Sequence, residues 1–121
     1  MTLREARCVF TKCDAELTLW AFSQGYEIAN AEGMDRITDK DPTTDHMKGG
    51  LHGIGLAQDK DLYKDGIYLT KTEDHAPLGA RWKIMGQLYG LALAWGGDFK
   101  DKDGKPKPDG NHYSLMWMGL K

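Results

Sequence analysis

A chain of 121 residues, 40% hydrophobic and 28% charged, carries enough apolar material for one hydrophobic core without disulfide or metal staples. Its net charge of −2, with no run of Lys or Arg, argues against a nucleic-acid-binding surface or a membrane footprint. The longest apolar stretch, residues 88–95, is far too short to span a bilayer, and the charged opening Met1-Thr2-Leu3-Arg4-Glu5 lacks the apolar segment of a signal peptide. These features lead us to expect a single domain over residues 1–121, made in the cytoplasm, monomeric and without stable membrane association.

From Leu3 to Ser23 the apolar residues Leu3, Ala6, Phe10, Cys13, Leu17 and Trp20 recur at alternating three- and four-residue steps, which predicts an amphipathic helix. Thr2 is its expected N-cap, Glu5 completes a capping box, and Gly25 supplies a left-handed terminus. Cys8 and Cys13 fall on different faces of that helix, so free thiols are expected. A short strand follows at residues 26–29. Residues 32–50, rich in Asp, Thr and Gly with Pro42 inside, read as a long polar excursion, the kind of loop that tends to be functional.

Residues 56–63 are expected to form a strand with Leu56 inward, turning at Lys64-Asp65-Gly66 into a return strand at residues 67–70. Pro77 opens a second helix with Leu78, Trp82, Met85, Leu88, Tyr89 and Ala92 on one side, which the pattern carries to Gly96-Gly97. Residues 98–110 form a charged loop with Pro106 and Pro108, and a last strand runs from 112 to about 117. The order helix, strand, hairpin, helix, strand predicts an α+β fold, with helices packed on a small antiparallel sheet.

Two short stretches carry the chemistry: His52-Gly53-Ile54-Gly55-Leu56-Ala57-Gln58-Asp59 and Asp109-Gly110-Asn111-His112. Two imidazoles and a carboxylate, with one position left open, make up a known recipe for catalytic zinc, and a further carboxylate suits a proton acceptor. The glycines after His52 argue against a helix there, and an odd separation in a regular strand would send His52 and Asp59 to opposite faces. His52 is therefore expected on an irregular lead-in that turns it back towards Asp59. Taken singly, each piece has a plainer account. His52 and Asp59 can be surface or hydrogen-bonded residues, Asp109 to His112 an Asx-type turn, and Trp95-Gly96-Gly97-Asp98 a helix terminus with a buried indole.

In combination, His-x-x-Gly-Leu-Ala-x-Asp, then Trp-Gly-Gly-Asp-Phe, then Asp-x-x-His-Tyr-Ser-Leu resembles the D-alanyl-D-alanine carboxypeptidase and L-alanyl-D-glutamate endopeptidase family. That family belongs to the lysostaphin, D-Ala-D-Ala peptidase and hedgehog superfamily of zinc proteins. The resemblance covers residues 26–115 and is nearest to short phage endolysins. It implies a hedgehog/D-Ala-D-Ala peptidase-like fold with zinc held by His52, Asp59 and His112, Asp109 as general base, and Arg36 binding substrate and steadying the oxyanion. The wording around Arg36 departs from the family's Gly-Tyr-Arg, and Gly50 stands where the family prefers Ser. The implied function is a zinc peptidase acting on peptidoglycan stem peptides, most simply at the L-alanyl-D-glutamate bond, in the cell wall or periplasm after release from the cytoplasm.

Three alternatives stay open: D-alanyl-D-alanine carboxypeptidase activity, a hedgehog-like zinc module without catalysis, and a metal nuclease suggested only by the Asp-Gly-Asn-His wording. Two further histidines compete as ligands. His46 is expected to be solvent-exposed or to line the cleft, and His75 to be a surface or capping residue. Asp98, Asp101 and Asp103 invite a calcium reading, but the EF-hand template fails at Phe99 and Gly110, and a solvated acidic loop is the expectation.

Overall fold

The computed structural model describes residues 1–31 and 50–121. The expected positions of Arg36 and His46 lie outside the described residues.

Helix α1 spans Leu3–Ser23 and begins as its sequence directs. Thr2 accepts from the Glu5 amide, while the Glu5 carboxylate accepts from the Thr2 amide at 3.0 Å. Gly25, at φ +91°, takes the left-handed conformation just beyond the helix and starts the chain back as a strand. Strand β1 (Tyr26–Asn30) pairs antiparallel with β2 (Ala57–Lys64), and Asp65 and Gly66, both at positive φ, turn the chain into β3 (Ile67–Leu69). Cys8 and Cys13 are both free thiols.

The second helix, α2, spans Ala76–Tyr89 with Pro77 in its first turn, and it is shorter than the apolar pattern predicts. Gly90 adopts a left-handed conformation (φ +64°) and stops it. Leu88 and Tyr89, expected on the buried side, are exposed. The apolar residues that follow belong to a strand not foreseen, β4 (Leu93–Trp95), which leads into a 3-10 turn at Gly96–Asp98. Three strand residues immediately after a helix leave too little alternation to be told from one more helical turn. The last strand, β5 (His112–Leu115), ends two residues short of the expected limit.

Among the described residues the result is an α+β architecture with five antiparallel strands in one sheet, ordered β1-β2-β5-β4 with β3 also on β2. Strand β2 is the hinge of the arrangement. Its C-terminal half pairs β1 on one edge and β3 on the other, whereas its N-terminal half, Ala57 to Asp59, pairs β5.

Alternation along β2 and β5 assigns the two faces of the sheet. Lys60, Leu62 and Tyr113 face the helices. There Trp82 of α2 meets Phe10 of α1 and Tyr113 edge-on, at centroid separations of 5.8 and 6.1 Å, and its Nε1 donates to the Ser114 carbonyl at 3.1 Å. Lys60 is fully buried among these apolar groups because Asp14 of α1 accepts an ion pair from its ammonium at 2.5 Å. His75, expected near the surface, is also buried, with Nδ1 3.0 Å from the Tyr113 hydroxyl. It stands at the start of α2 but makes no side-chain cap. A tyrosine thirty-eight residues away, which no local pattern reveals, accounts for its burial.

Two outcomes follow. Removing Asp14 strands a buried ammonium, so Asp14→Ala is expected to lose about 3–5 kcal/mol in urea denaturation, whereas the double change Asp14→Leu with Lys60→Met recovers most of that loss. Burial holds the His75 imidazole below its ordinary value of 6.5, with the Asp74 charge opposing. Above 6.5 the imidazole is neutral in both folded and unfolded chains; below it the unfolded chain takes up the proton first. Stability of the metal-free protein should therefore fall as pH drops from 6.5 towards the depressed folded value, then level off. Thermal melts across that range should show a smaller fall for His75→Gln.

Candidate metal centre

The face of the sheet turned away from the helices carries Asp59 and His112. They are directly opposed in the β2–β5 register, so antiparallel pairing alone brings the carboxylate and the imidazole together. His52 arrives from a different kind of structure, a 3-10 turn over Leu51–Ile54. Gly55, left-handed at φ +78°, closes that turn, and the Leu56 amide donates back to the Leu51 carbonyl at 2.9 Å. The irregular lead-in expected from the glycines is thus observed.

One support for this turn was not foreseen. Arg7 of α1 donates from Nε to the Ile54 carbonyl at 2.7 Å and lies against Gly55, where an added Cβ would come within 3.3 Å of it. An exposed arginine on the polar side of an amphipathic helix offers no sequence signal for such a role.

The three side chains converge. His52 Nε2 and His112 Nδ1 are 3.0 Å apart, and each is 3.4 Å from Asp59 Oδ1. Among the described residues this is the one group of His, Cys, Asp or Glu side chains that can hold a metal ion. His112 is buried and the other two are half-buried, which limits competition from bulk water on three sides. Phe99 packs on the His112 ring at 5.2 Å and the His52 ring meets it edge-on at 4.9 Å. Packing thus orients this imidazole, since its Nε2 has no hydrogen-bond partner among the described residues.

The Trp-Gly-Gly stretch gains a physical meaning here. It is the exit of β4 rather than the helix terminus of the plainer account. Trp95 is buried with Nε1 donating to the Gly110 carbonyl at 2.7 Å. A Cβ on Gly96 would lie 2.0 Å from the Asp109 carbonyl oxygen and 2.8 Å from His112 Cβ, so only glycine lets this turn approach the Asp109 to His112 segment. The Asp109 amide uses that approach and donates to the Gly96 carbonyl at 2.8 Å.

Asp109 stands at the rim. The residue as a whole is exposed, yet its carboxyl is held above the ordinary range. Desolvation is the larger cause and the negative charge of Asp59 the next, while His112 and His52 pull the other way. The Asp109 carboxyl thus interacts electrostatically with all three members of the group. Two carboxylates of the acidic loop are engaged elsewhere. Asp98 pairs with Lys83 at 2.8 Å, and Asp101 Oδ1 accepts from the amides of Asp103 and Lys105 at 2.8 and 2.9 Å.

Comparison with protein-family models, with curated proteins and with solved structures finds no match for this chain. What can be said of its chemistry therefore rests on the group itself.

Because Gly96 has no space for a side chain, Gly96→Ala should push Asp109 and His112 out of place. We expect the affinity for a divalent metal to drop about 10-fold or more by calorimetric titration, the range seen when supporting groups around a metal site are disturbed.

Proposed function

We propose that this chain is a zinc-dependent peptidoglycan peptidase of the phage-endolysin type, with a hedgehog/D-Ala-D-Ala peptidase-like fold, cutting the L-alanyl-D-glutamate bond of the stem peptide. The observation that carries this reading is the convergence of His52, Asp59 and His112 with Asp109 beside them. A metal held only for structure has no use for a second, proton-accepting carboxylate at its rim, which weighs against a non-catalytic zinc module.

The donor set fits zinc. Ligand atoms about 2.0–2.1 Å from a tetrahedral ion lie roughly 3.3–3.5 Å from one another, and here the separations are 3.0 and 3.4 Å. Three protein ligands leave a fourth position open, as catalytic zinc requires. When bound, zinc lowers the pKa of a water to about 7 and polarises a carbonyl oxygen.

The chain's own residues do the rest. His52 and His112 would each offer the ion a ring nitrogen and Asp59 one carboxylate oxygen. The Asp109 carboxylate takes a proton from the attacking water and passes it to the nitrogen of the departing amine. The upward pull on its pKa matters for this second step, because a more basic carboxylate holds the proton long enough to deliver it. Arg36, in the role the resemblance implies, would meet the negative charge that develops on the carbonyl oxygen.

None of the helices described is long and apolar enough to cross a membrane. In this proposal the enzyme reaches the wall after release from the cytoplasm and has no nucleic-acid partner.

Mass spectrometry of fragments released from purified peptidoglycan tests the reading. Fragments with new amine termini on D-glutamate are expected, with chelation abolishing their release and added zinc restoring it. Asp109→Asn should keep its metal and lose turnover by about 10²-fold or more. Undiminished digestion by that variant would remove Asp109 as the base. Loss of terminal D-alanine alone would point to the carboxypeptidase, and bound zinc with no release at all to the non-catalytic module.

A further inference from the structure

Two clefts of unlike chemistry meet at Asp109. The narrower, about 250 Å³, is lined by Tyr68, Thr70, Thr72, His75 and Asn111, which offer hydroxyls, an amide and an imidazole held neutral by burial, and by Lys60, whose charge Asp14 neutralises. The wider, about 650 Å³, is lined by Phe99, Lys100, Lys107 and Lys121. Pro108 and Asp109 belong to both, so the proposed base stands on the ridge between them.

Two of the wider cleft's lysines, Lys100 and Lys107, are held by the fold of residues 99–107. That segment doubles back as a small hairpin: the Lys107 amide donates to the Phe99 carbonyl at 2.8 Å, Asp101 to Lys105 likewise at 2.8 Å, and Lys100 bridges to Pro106. Gly104, at φ +79°, makes the turn. Asp101 spends one carboxylate oxygen on the turn's own amides, and Asp98 is engaged by Lys83 outside this cleft. Apart from Asp109, no carboxylate side chain lines the wider cleft, and among the described residues none of its three lysines has an ion-pair partner. In a chain of net charge −2 this is a local concentration of positive charge, set against the proposed base.

We propose that the wider cleft is the subsite for the carboxylate-bearing, amine-side part of the substrate, with Lys100 and Lys107 as its anion-binding residues. The inference rests on the peptidase reading above and extends it. In an L-alanyl-D-glutamate segment the acyl side is a neutral alanyl unit, while the amine side carries the free carboxylates of glutamate and whatever follows it. Charge complementarity therefore lays the amine side over Lys100 and Lys107 and the neutral side over Thr70, Thr72 and Asn111. The scissile bond then crosses the Asp109 ridge, and the nitrogen that must receive a proton lies on the lysine side. Phe99, which packs on His112, joins this subsite to the metal group.

The test is calorimetric binding to zinc-loaded Asp109→Asn protein, which holds ligand without turning it over. The probes are N-acetyl-L-alanyl-D-glutamate with free carboxyls and the same compound amidated. The acid should bind more tightly than the amide. Lys100→Gln with Lys107→Gln should reduce that preference about twofold to thirtyfold, from two exposed charge pairs at about 1.4-fold to fivefold each. A charge-matched control, Lys12→Gln with Lys71→Gln, should keep it, since neither residue lines the cleft. No preference in the parent, or a preference that survives the Lys100/Lys107 change, overturns the subsite. Equal loss in the control overturns it too, since the effect would then be net charge alone. Digestion of peptidoglycan by the wild-type protein, run alongside, separates the two readings: digestion with an insensitive preference rejects only the subsite. A lysine-dependent preference without digestion rejects only the peptidase.

Discussion

The site depends on one register. Asp59 and His112 stand opposite each other because Ala57, Gln58 and Asp59 pair with Ser114, Tyr113 and His112. Since side chains alternate along a strand, a slip of one residue would turn one of the two towards the helices and dissolve the group. That register is defended from both sides of the sheet. Leu62 and Tyr113 on the helix face are completely buried, so a slip would also pull them out of the core. The apolar core and the metal group are therefore two readings of the same strand pairing.

Just past Asp59, β2 changes partners from β5 to β3. The β5 strand begins where that pairing ends, and the Lys60 amide still reaches the Asn111 carbonyl at 2.9 Å. Asp109 and its cleft occupy the gap opened by this change of partner, between the β3 hairpin and the segment that enters β5. Close approach on the other side comes from Gly96 and from the indole of Trp95, which holds Gly110 by its carbonyl.

Electrostatics divides along the same line. The helix face neutralises its one buried cation with Asp14 and keeps His75 uncharged beneath Tyr113. The opposite face gathers two carboxylates and two imidazoles into electrostatic contact, with His112 buried and His52 and Asp59 half-buried. On the helix face each charge is settled by one partner, whereas on this face Asp59 meets both imidazoles around a single point that could hold a metal ion.

The local signals were legible in the amino-acid order. Thr2 and Glu5 determined the start of α1 and Asp65-Gly66 the hairpin, because each depends on residues close together, while His52, Asp59 and His112 were named as ligands by their donor chemistry and by the family resemblance, not by spacing. The boundary of α2 was not legible, since Leu91, Leu93 and Trp95 continue an apolar pattern that Gly90 had already ended. Nor was the burial of Lys60 and His75, or the hold of Arg7 on the Ile54 carbonyl, for each partner lies far along the chain. Composition and periodicity report what a residue can do with its neighbours in sequence. Which distant group it meets is decided only when strands pair and helices pack, and that is where the metal group, its glycine approach and the two clefts around Asp109 came from.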